Sequence, residues 1–561
     1  MMVLPKNIKI LRLALVVCVI IVIVKQGLHN NVSFFMEQDS YFSHNYLRLN
    51  FTLTLLSVTT TLPHLTNNEE KTTKKIPERC ECKSGKHWAD NVLVQQLDLT
   101  LPWLNTTTKE HLIKHHPNLP VNFLHKANKE GRCNLLPLLS SIQWVNIHWQ
   151  KVTLNNTDIL LYSAIYDPLP GGKPCVRLLG VTRSTKPPAG WCHLWFSTQQ
   201  PPVVARITNT DYLDYQGADS GRQMPFMFTC PLPPQVAHLQ PAAVSLVSQP
   251  CQPATTLLQV VGAKERENSA YLNGHKPADP ATAVKGWVPA VCGPALYFYH
   301  EDFSMRIVEW LEILRAEGFG KVFLYVTDVH PNLEKVLKYY EDNGFVRLTN
   351  YYYPPPYINE PSLRRLWTLV ENTKMFSQEN IYFTDCLLRH MHQYRFIAHY
   401  DPDEIPILPN HDNYTHFMED LLMRNSKEKL DSGCYRLMWK YFFNDLVPTD
   451  EATLKLPEYL WALRHTRTPT KYIGTTAGLF KSLYDMNTVK GVSSHGPLLS
   501  TTGSNRIYNV PRSMAMLGHY KLTCGHRCSA ANSTKEVFFL HKYKDQVNKT
   551  VTEVLKKLQL I

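Results

Sequence analysis

The 561-residue sequence has no glycine-rich phosphate loop, no Ser, His and Asp set suited to nucleophilic hydrolysis, and no nucleic-acid-binding motif. Long basic blocks are missing too. Lys and Arg number 59 against 47 Asp and Glu, a net charge of +12, but they are scattered. These absences exclude P-loop NTPases, serine hydrolases and nucleic-acid binders. Most of the surplus charge reads as solvated surface, compatible with phosphate-bearing ligands. The balance of 44% hydrophobic to 19% charged residues is globular, neither disordered nor polytopic. The length is too great for one compact core and enough for two or three domains.

One apolar run stands out. Leu13 to Val24 is unbroken, and extension back to Ile8 gives a span of about 17 residues, the short end for a membrane helix. Lys9 and Arg12 can snorkel to the interface. A secretory signal peptide is the competing reading, but no small-x-small cleavage pattern follows Val24. Lys6, Lys9 and Arg12 precede the run and only Lys25 follows closely, so the positive-inside bias puts the short N-terminus in the cytosol. Asn-x-Ser/Thr acceptors at Asn31, Asn50, Asn105, Asn155, Asn413, Asn532 and Asn548 fit a lumenal body. Of 13 cysteines, only Cys18 lies in the anchor, and the even number beyond it should mostly pair in an oxidising lumen. The expected order is a cytoplasmic tail (1–7), a transmembrane anchor (8–24), a stem (25–130), a β-rich accessory domain (131–291) and an α/β catalytic domain (292–561).

Between Leu135 and Cys292, short apolar runs such as 159–166, 176–181 and 194–196 alternate with Pro and Gly clusters, which suggests a sandwich-like domain. Beyond Cys292, strand and helix alternate. A strand is expected over 295–300 and a helix over 305–316 with Ile307, Trp310, Leu311 and Leu314 on one face. Val322 to Val326 reads as a strand ending at Asp328. A second helix carries Leu333, Val336, Leu337 and Tyr340, a strand follows at 345–348, and helices are expected over 361–376 and 385–392. Residues 396–400 then run into Asp401. Such alternation predicts a mostly parallel sheet covered by helices on both faces, with ligands at the carboxyl ends of its strands, where Asp328 and Asp401 fall.

The segment 400–406, Tyr-Asp-Pro-Asp-Glu-Ile-Pro, puts Asp401, Asp403 and Glu404 within four residues. Crowded carboxylates repel unless a cation intervenes, and a hard divalent cation that takes oxygen ligands suits them. Pro402 stiffens the turn. An EF-hand fits poorly, since Pro406 and Asp412 stand where Gly and Glu are needed. A solvated acidic turn is the bland alternative. His519, Cys524, His526 and Cys528 could be drawn as a zinc site, but cysteine pairing is the better reading in an oxidising lumen. The aromatic run 351–357 could stack on a sugar or base, or pack as a loop.

The stretch Tyr382-Phe-Thr-Asp385-Cys386-Leu-Leu-Arg389, followed by Phe396-Ile-Ala-His-Tyr-Asp401-Pro-Asp403-Glu404, resembles glycosyltransferase family 92, which shows an Asp-Cys-x-x-Arg element, a strand and an Asp-x-Asp-Glu turn. Tyr162-Ser163-Ala164, Cys230-Pro231, 308–311, Lys481, Gly491-Val492 with His495, and His519-Tyr520 match in order, so the resemblance covers roughly residues 140 to 545. It implies a GT-A-type nucleotide-sugar fold in a type II Golgi membrane protein. Inverting transfer from a UDP-sugar, usually UDP-galactose, to a glycan hydroxyl such as a fucose on an N-glycan core is implied, with manganese as cofactor. By the same analogy Asp403 would bind the metal directly and Asp401 through water or at the ribose. His495, or alternatively His519, would complete the metal site. Asp328, Asp385 and Arg389 would lie near the nucleotide, the last two otherwise forming a buried ion pair. Asp445, Asp450 and Glu451 are the candidate bases. Pro402 within the turn, Ile405 in place of the usual Phe, and a loose match over 438–445 depart from the family's pattern. The alternative from another class is a non-catalytic lumenal glycan-binding protein that kept the fold.

Overall fold

In a computed structural model, the described residues are 80–82, 109–168, 173–262, 288–370, 372–427, 432–446, 448–469, 480–501, 506–521, 523 and 534–561. The anchor span, most of the stem and Cys524 to Cys528 lie outside them. Among the described residues no helix is long and apolar enough to cross a membrane.

Two helices, α1 (Lys109–His115) and α2 (Val121–Glu130), fall in the stretch read as stem. Leu119, Phe123 and Ala127 pack there with Trp195, Ala243 and Leu257. Disulfides Cys80–Cys251 and Cys82–Cys133 fasten this segment to the first sheet.

That sheet comprises β1 (Gln150–Leu154), β2 (Thr157–Asp167), β3 (Cys175–Thr182), β4 (Trp191–Trp195), β5 (Val203–Arg206), β6 (Asn209–Tyr212), β7 (Met224–Pro231), β8 (Ala243–Val247) and β9 (Leu258–Val261). Its order is β5-β4-β8-β9-β2-β3-β7-β6, with β1 on β2. All its pairings are antiparallel except β2 with β9. Four strands separate β4 from β7 in that order, about 24 Å in a flat sheet at the usual strand spacing. Yet Cys192 on β4 bonds to Cys230 on β7, with Cα atoms 6.1 Å apart. The sheet therefore folds over on itself, and a sandwich-like core of Leu161, Val176, Leu194, Phe228 and Leu246 fills the fold.

The second sheet comprises β10 (Ala290–Leu296), β11 (Lys321–Val326), β12 (Val346–Asn350), β13 (Phe396–His399), β14 (Glu404–Ile407), β15 (Cys434–Phe443), β17 (Phe480–Asp485), β20 (Ile507–Asn509) and β21 (Met516–Lys521). β16 (Arg467–Pro469) pairs with β22 (Thr534–Glu536), and β18 (Val489–Ser493) with β19 (Gly496–Ser500). Helices α3 (Ser304–Ala316), α4 (Pro331–Asp342), α5 (Pro361–Val370), α6 (Asn372–His390), α7 (Tyr414–Lys427), α8 (Glu451–Leu454), α9 (Trp461–Arg464) and α10 (Lys544–Lys557) complete the α/β arrangement. The strand order is β12-β11-β10-β13-β17-β15-β21-β14. The sheet is parallel from β12 to β13, where helices cross over between strands. It is mixed beyond, because β17 runs antiparallel to β13 and β15, and β14 antiparallel to β21.

Strand alternation divides the core. Val322, Leu324 and Val326 face α3, α4, α7 and α10, while Phe323 and Tyr325 face α6 and the first sheet. Tyr162, Leu179 and Met227 of the first sheet join that second cluster, so the two sheets share a core. Tyr351, Tyr353 and Tyr357 are buried in it, and Trp149 Nε1 donates to the Tyr352 carbonyl at 2.6 Å. The tyrosine run is thus packed as a loop.

Two boundaries differ from expectation. The strand over 295–300 lies earlier, at 290–296; its register shifts between Cys292 and Ala295, where Pro294 has no N–H to donate. The expected gap between 376 and 385 is helix, all within α6. Its polar residues resemble a loop but face the first sheet: Gln378 donates to the Gln223 carbonyl (2.9 Å) and Asn380 to Asp214 (3.3 Å).

Candidate active site at the Asp401–Glu404 turn

β13 delivers the chain to Asp401 at the carboxyl end of the parallel half-sheet, and β14 takes it away. Within the turn, Glu404 N donates to the Asp401 carbonyl at 2.9 Å, and Asp401 N to Glu404 Oε2 at 3.0 Å. Trp310 of α3 donates its indole N–H to the Glu404 carbonyl at 2.9 Å. Glu404 pairs with His519 in the β14–β21 ladder, and Tyr520 N donates to the Asp403 carbonyl at 2.9 Å. Asp403 is thereby set against the far end of β21.

The three carboxylates have different neighbours. Asp401 Oδ2 lies 2.7 Å from Lys481 Nζ, and Glu404 Oε2 lies 3.7 Å from the same ammonium. Asp403 Oδ2 lies 3.2 Å from His519 Nε2 and 3.9 Å from Lys521 Nζ. Burial pushes the Glu404 carboxyl up to about 8, against the opposing pull of Lys481. Arg306, at the start of α3, is also near Asp403; burial lowers its pKa, opposed by Glu301, Asp403 and Glu309. Its guanidinium lies 4.2 Å over the Trp461 ring.

His519 is fully buried, its ring 4.3 Å from Trp439 and 5.4 Å from Tyr441. His495 sits in the turn between β18 and β19, its Nδ1 3.2 Å from the Phe480 carbonyl oxygen and its ring 5.8 Å from Trp439. Of the two histidines named from sequence, His519 lies against Asp403. Lys521 had no place in the sequence reading. Period two along β21 turns it to the same side as His519, and that was the available signal.

Asp328 ends β11 on the same strand edge. Arg364, almost fully buried, binds its Oδ2 at 3.0 Å. Asp385 lies elsewhere, fully buried within α6. It accepts from Ser163 (2.6 Å), Tyr325 (2.5 Å) and Arg389 (2.6 Å). A register shift in β2 between Leu161 and Ser163 lets Tyr162 and Ser163 both turn towards α6. The pair Asp385–Arg389 thus ties α6 to both sheets.

Among the candidate bases, Asp445 is exposed and follows the carboxyl end of β15. Its neighbour Asn444 donates to the Lys521 carbonyl at 3.1 Å, and Thr523 donates to Asp445 at 2.9 Å. Asp450 caps α8, accepting from Thr453 N at 2.7 Å, and Glu451 pairs with Lys455 on the surface. Among the described residues no three or more His, Cys, Asp or Glu side chains group to hold a metal ion. Asp403 with His519 nevertheless offers a carboxylate and an imidazole side by side, a donor pair that manganese accepts when ligand oxygens complete its shell.

Residues 289–559, which hold the second sheet, match the family model of glycosyltransferase family 92. A beta-1,4-galactosyltransferase of Caenorhabditis elegans, galt-1, is 28% identical over 130 residues, 21% of this chain and 25% of that protein. The chain thus spans about a quarter of that relative's length. Among solved structures, Staphylococcus aureus TarS 1-349 in complex with UDP-GlcNAc aligns with a TM-score of 0.23 and 11% identity, over 43% of this chain and 61% of that one. Glucosyl-3-phosphoglycerate synthase from Mycobacterium tuberculosis, with Mn2+ and UDP-glucose, aligns with a TM-score of 0.19 and 11% identity, over 51% and 84%. Residues 289–559, just under half of the chain, are thus its glycosyltransferase family 92 segment.

Proposed function

We propose that this protein is a GT-A-type, inverting, metal-dependent glycosyltransferase that moves galactose from UDP-galactose to a glycan hydroxyl. The observation that carries the proposal is the juxtaposition of Asp403 with His519 and Lys521 at the carboxyl edge of the sheet. Asp403 and His519 would hold a divalent cation, whose chemistry is to neutralise the departing diphosphate. Lys521 and Arg306 add fixed positive charge on the same side, where the negative charge of the leaving UDP grows. Asp445 is the favoured base, since Asp450 is engaged as a helix cap and Glu451 lies in a surface ion pair. Its carboxylate takes the acceptor hydroxyl proton as that oxygen bonds to the anomeric carbon and the bond to UDP breaks.

Asp328 and its partner Arg364 lie on the same strand edge and are assigned to the nucleotide side. Four disulfides among the described cysteines fit an oxidising compartment, in keeping with a Golgi membrane protein whose body is lumenal. A fucose on an N-glycan core is the first acceptor to try. The test is UDP release from a panel of UDP-sugars with glycan acceptors, with manganese and with chelator. Manganese-dependent release from UDP-galactose is expected. Binding of glycans without UDP release from any donor would replace the enzyme with the glycan-binding reading.

A further inference from the structure

Sequence puts three carboxylates within four residues, and their repulsion asks for positive charge. The fold supplies part of it from an unexpected place. Lys481 lies on β17, a strand antiparallel to β13, and only 4% of its side chain is exposed. A buried ammonium is costly unless paired and hydrogen-bonded. Its partners are Asp401 at 2.7 Å and Glu404 at 3.7 Å, and Glu404, fully buried, in turn accepts from Asp401 N. Lysine, aspartate and glutamate therefore close a ring at the turn. Asp403 lies against His519 and Lys521.

We infer that Lys481 is a positioning residue that acts as the internal counter-ion of the turn, holding Asp401 and Glu404 together so that this pair is not a cation site of its own. The inference rests on the proposed metal-assisted reading for its role in transfer, but the ring itself does not depend on it. It assigns the two aspartates different duties: Asp403 binds, and Asp401 shapes. Without Lys481 the pair Asp401 and Glu404 becomes a second oxygen-rich place for a hard cation.

The experiment measures Mn2+ binding by the full chain without nucleotide, from the loss of the free-ion paramagnetic resonance signal. Lys481→Met should bind Mn2+ at least about tenfold more tightly, or at one added site, while transfer falls. The added binding should persist when Asp403→Ala is combined with it. Lys481→Arg should bind Mn2+ as the wild type does and keep most of the activity. A purely structural lysine would not produce a gain in metal binding. A folded Lys481→Met protein with unchanged Mn2+ binding overturns the inference. Should Lys481→Met not fold, Lys481→Met with Glu404→Gln should recover folding, because one buried negative charge goes with the positive one; failure of that pair to recover also overturns it. Gain of Mn2+ binding in Lys481→Met, with no donor turned over by the wild type, would sink the proposed function and leave the ring standing. The reverse pattern would do the opposite.

Discussion

Asp385 and Asp403 stand on either side of β13, and both sit among cations and hydrogen-bond donors. Asp385 is fully buried, and a serine, a tyrosine and an arginine fill its oxygens. Asp403 keeps 15% of its side chain exposed and looks towards a histidine and a more distant lysine. The first carboxylate has its partners supplied by elements that must come together for the chain to fold. The second meets a histidine and a lysine from one strand, β21, and stays partly exposed. A closed ion pair resists unfolding; an open one can accept a ligand.

Substitution should separate the two most sharply at Asp403. On the proposed function, Asp403→Ala is expected to lower transfer by about 10³-fold or more, the proposed cation's stabilisation of leaving-group charge being worth several kcal/mol. Its melting temperature should stay within about 3 °C of wild type. Loss of the fold in this mutant would break the contrast. Asp385→Ala should do the reverse, costing about 3–5 kcal/mol in denaturant unfolding because Arg389 is left without its buried partner. A stable but inactive Asp385→Ala protein would move Asp385 into the chemistry.

Smaller effects sharpen the comparison further. Asp445→Asn should lower kcat about 10²-fold with UDP affinity unchanged, whereas Asp450→Asn, which alters only a helix cap, should leave kcat near the wild-type value. Equal kinetic losses in both would remove the basis for preferring Asp445. Glu309 of α3 provides a third kind of carboxylate, buried and accepting from Ala462 N and Leu463 N. Burial raises it from 4.5 to about 7. Between those values the native state holds a proton that the unfolded chain has lost, so stability falls as pH rises. Relative to Glu309→Gln, the wild type should lose on the order of 2 kcal/mol between pH 5 and 8. A pH-independent difference between the two proteins would refute the burial argument.

The strand–helix rhythm beyond Cys292 was legible because each element has a one-faced or fully apolar pattern: Ile307, Trp310, Leu311 and Leu314 are all buried as their spacing required. The acidic turn was legible because the crowding itself is local. Other features were not, since they depend on pairing between distant strands. Placing His519 beside Asp403 needs the β14–β21 register, which no local pattern encodes. The folding-over of the first sheet hangs on Cys192 finding Cys230, one connectivity among many. The middle of α6 was hidden because Gln378, Asn380 and Thr384 are polar where a buried helix is expected to be apolar; their partners lie in other elements.

The core shared by the two sheets bears on where this chain can be cut. The family match begins at residue 289, one residue before β10. A truncation starting there would keep every residue of the candidate active site. It would also strip the cover from Tyr325, Tyr351 and Leu387, leave Gln378 and Asn380 facing water, and take Ser163 away from Asp385. The matched segment is therefore a unit of descent rather than a unit of folding, and any shortened form meant to stay soluble has to retain the first sheet.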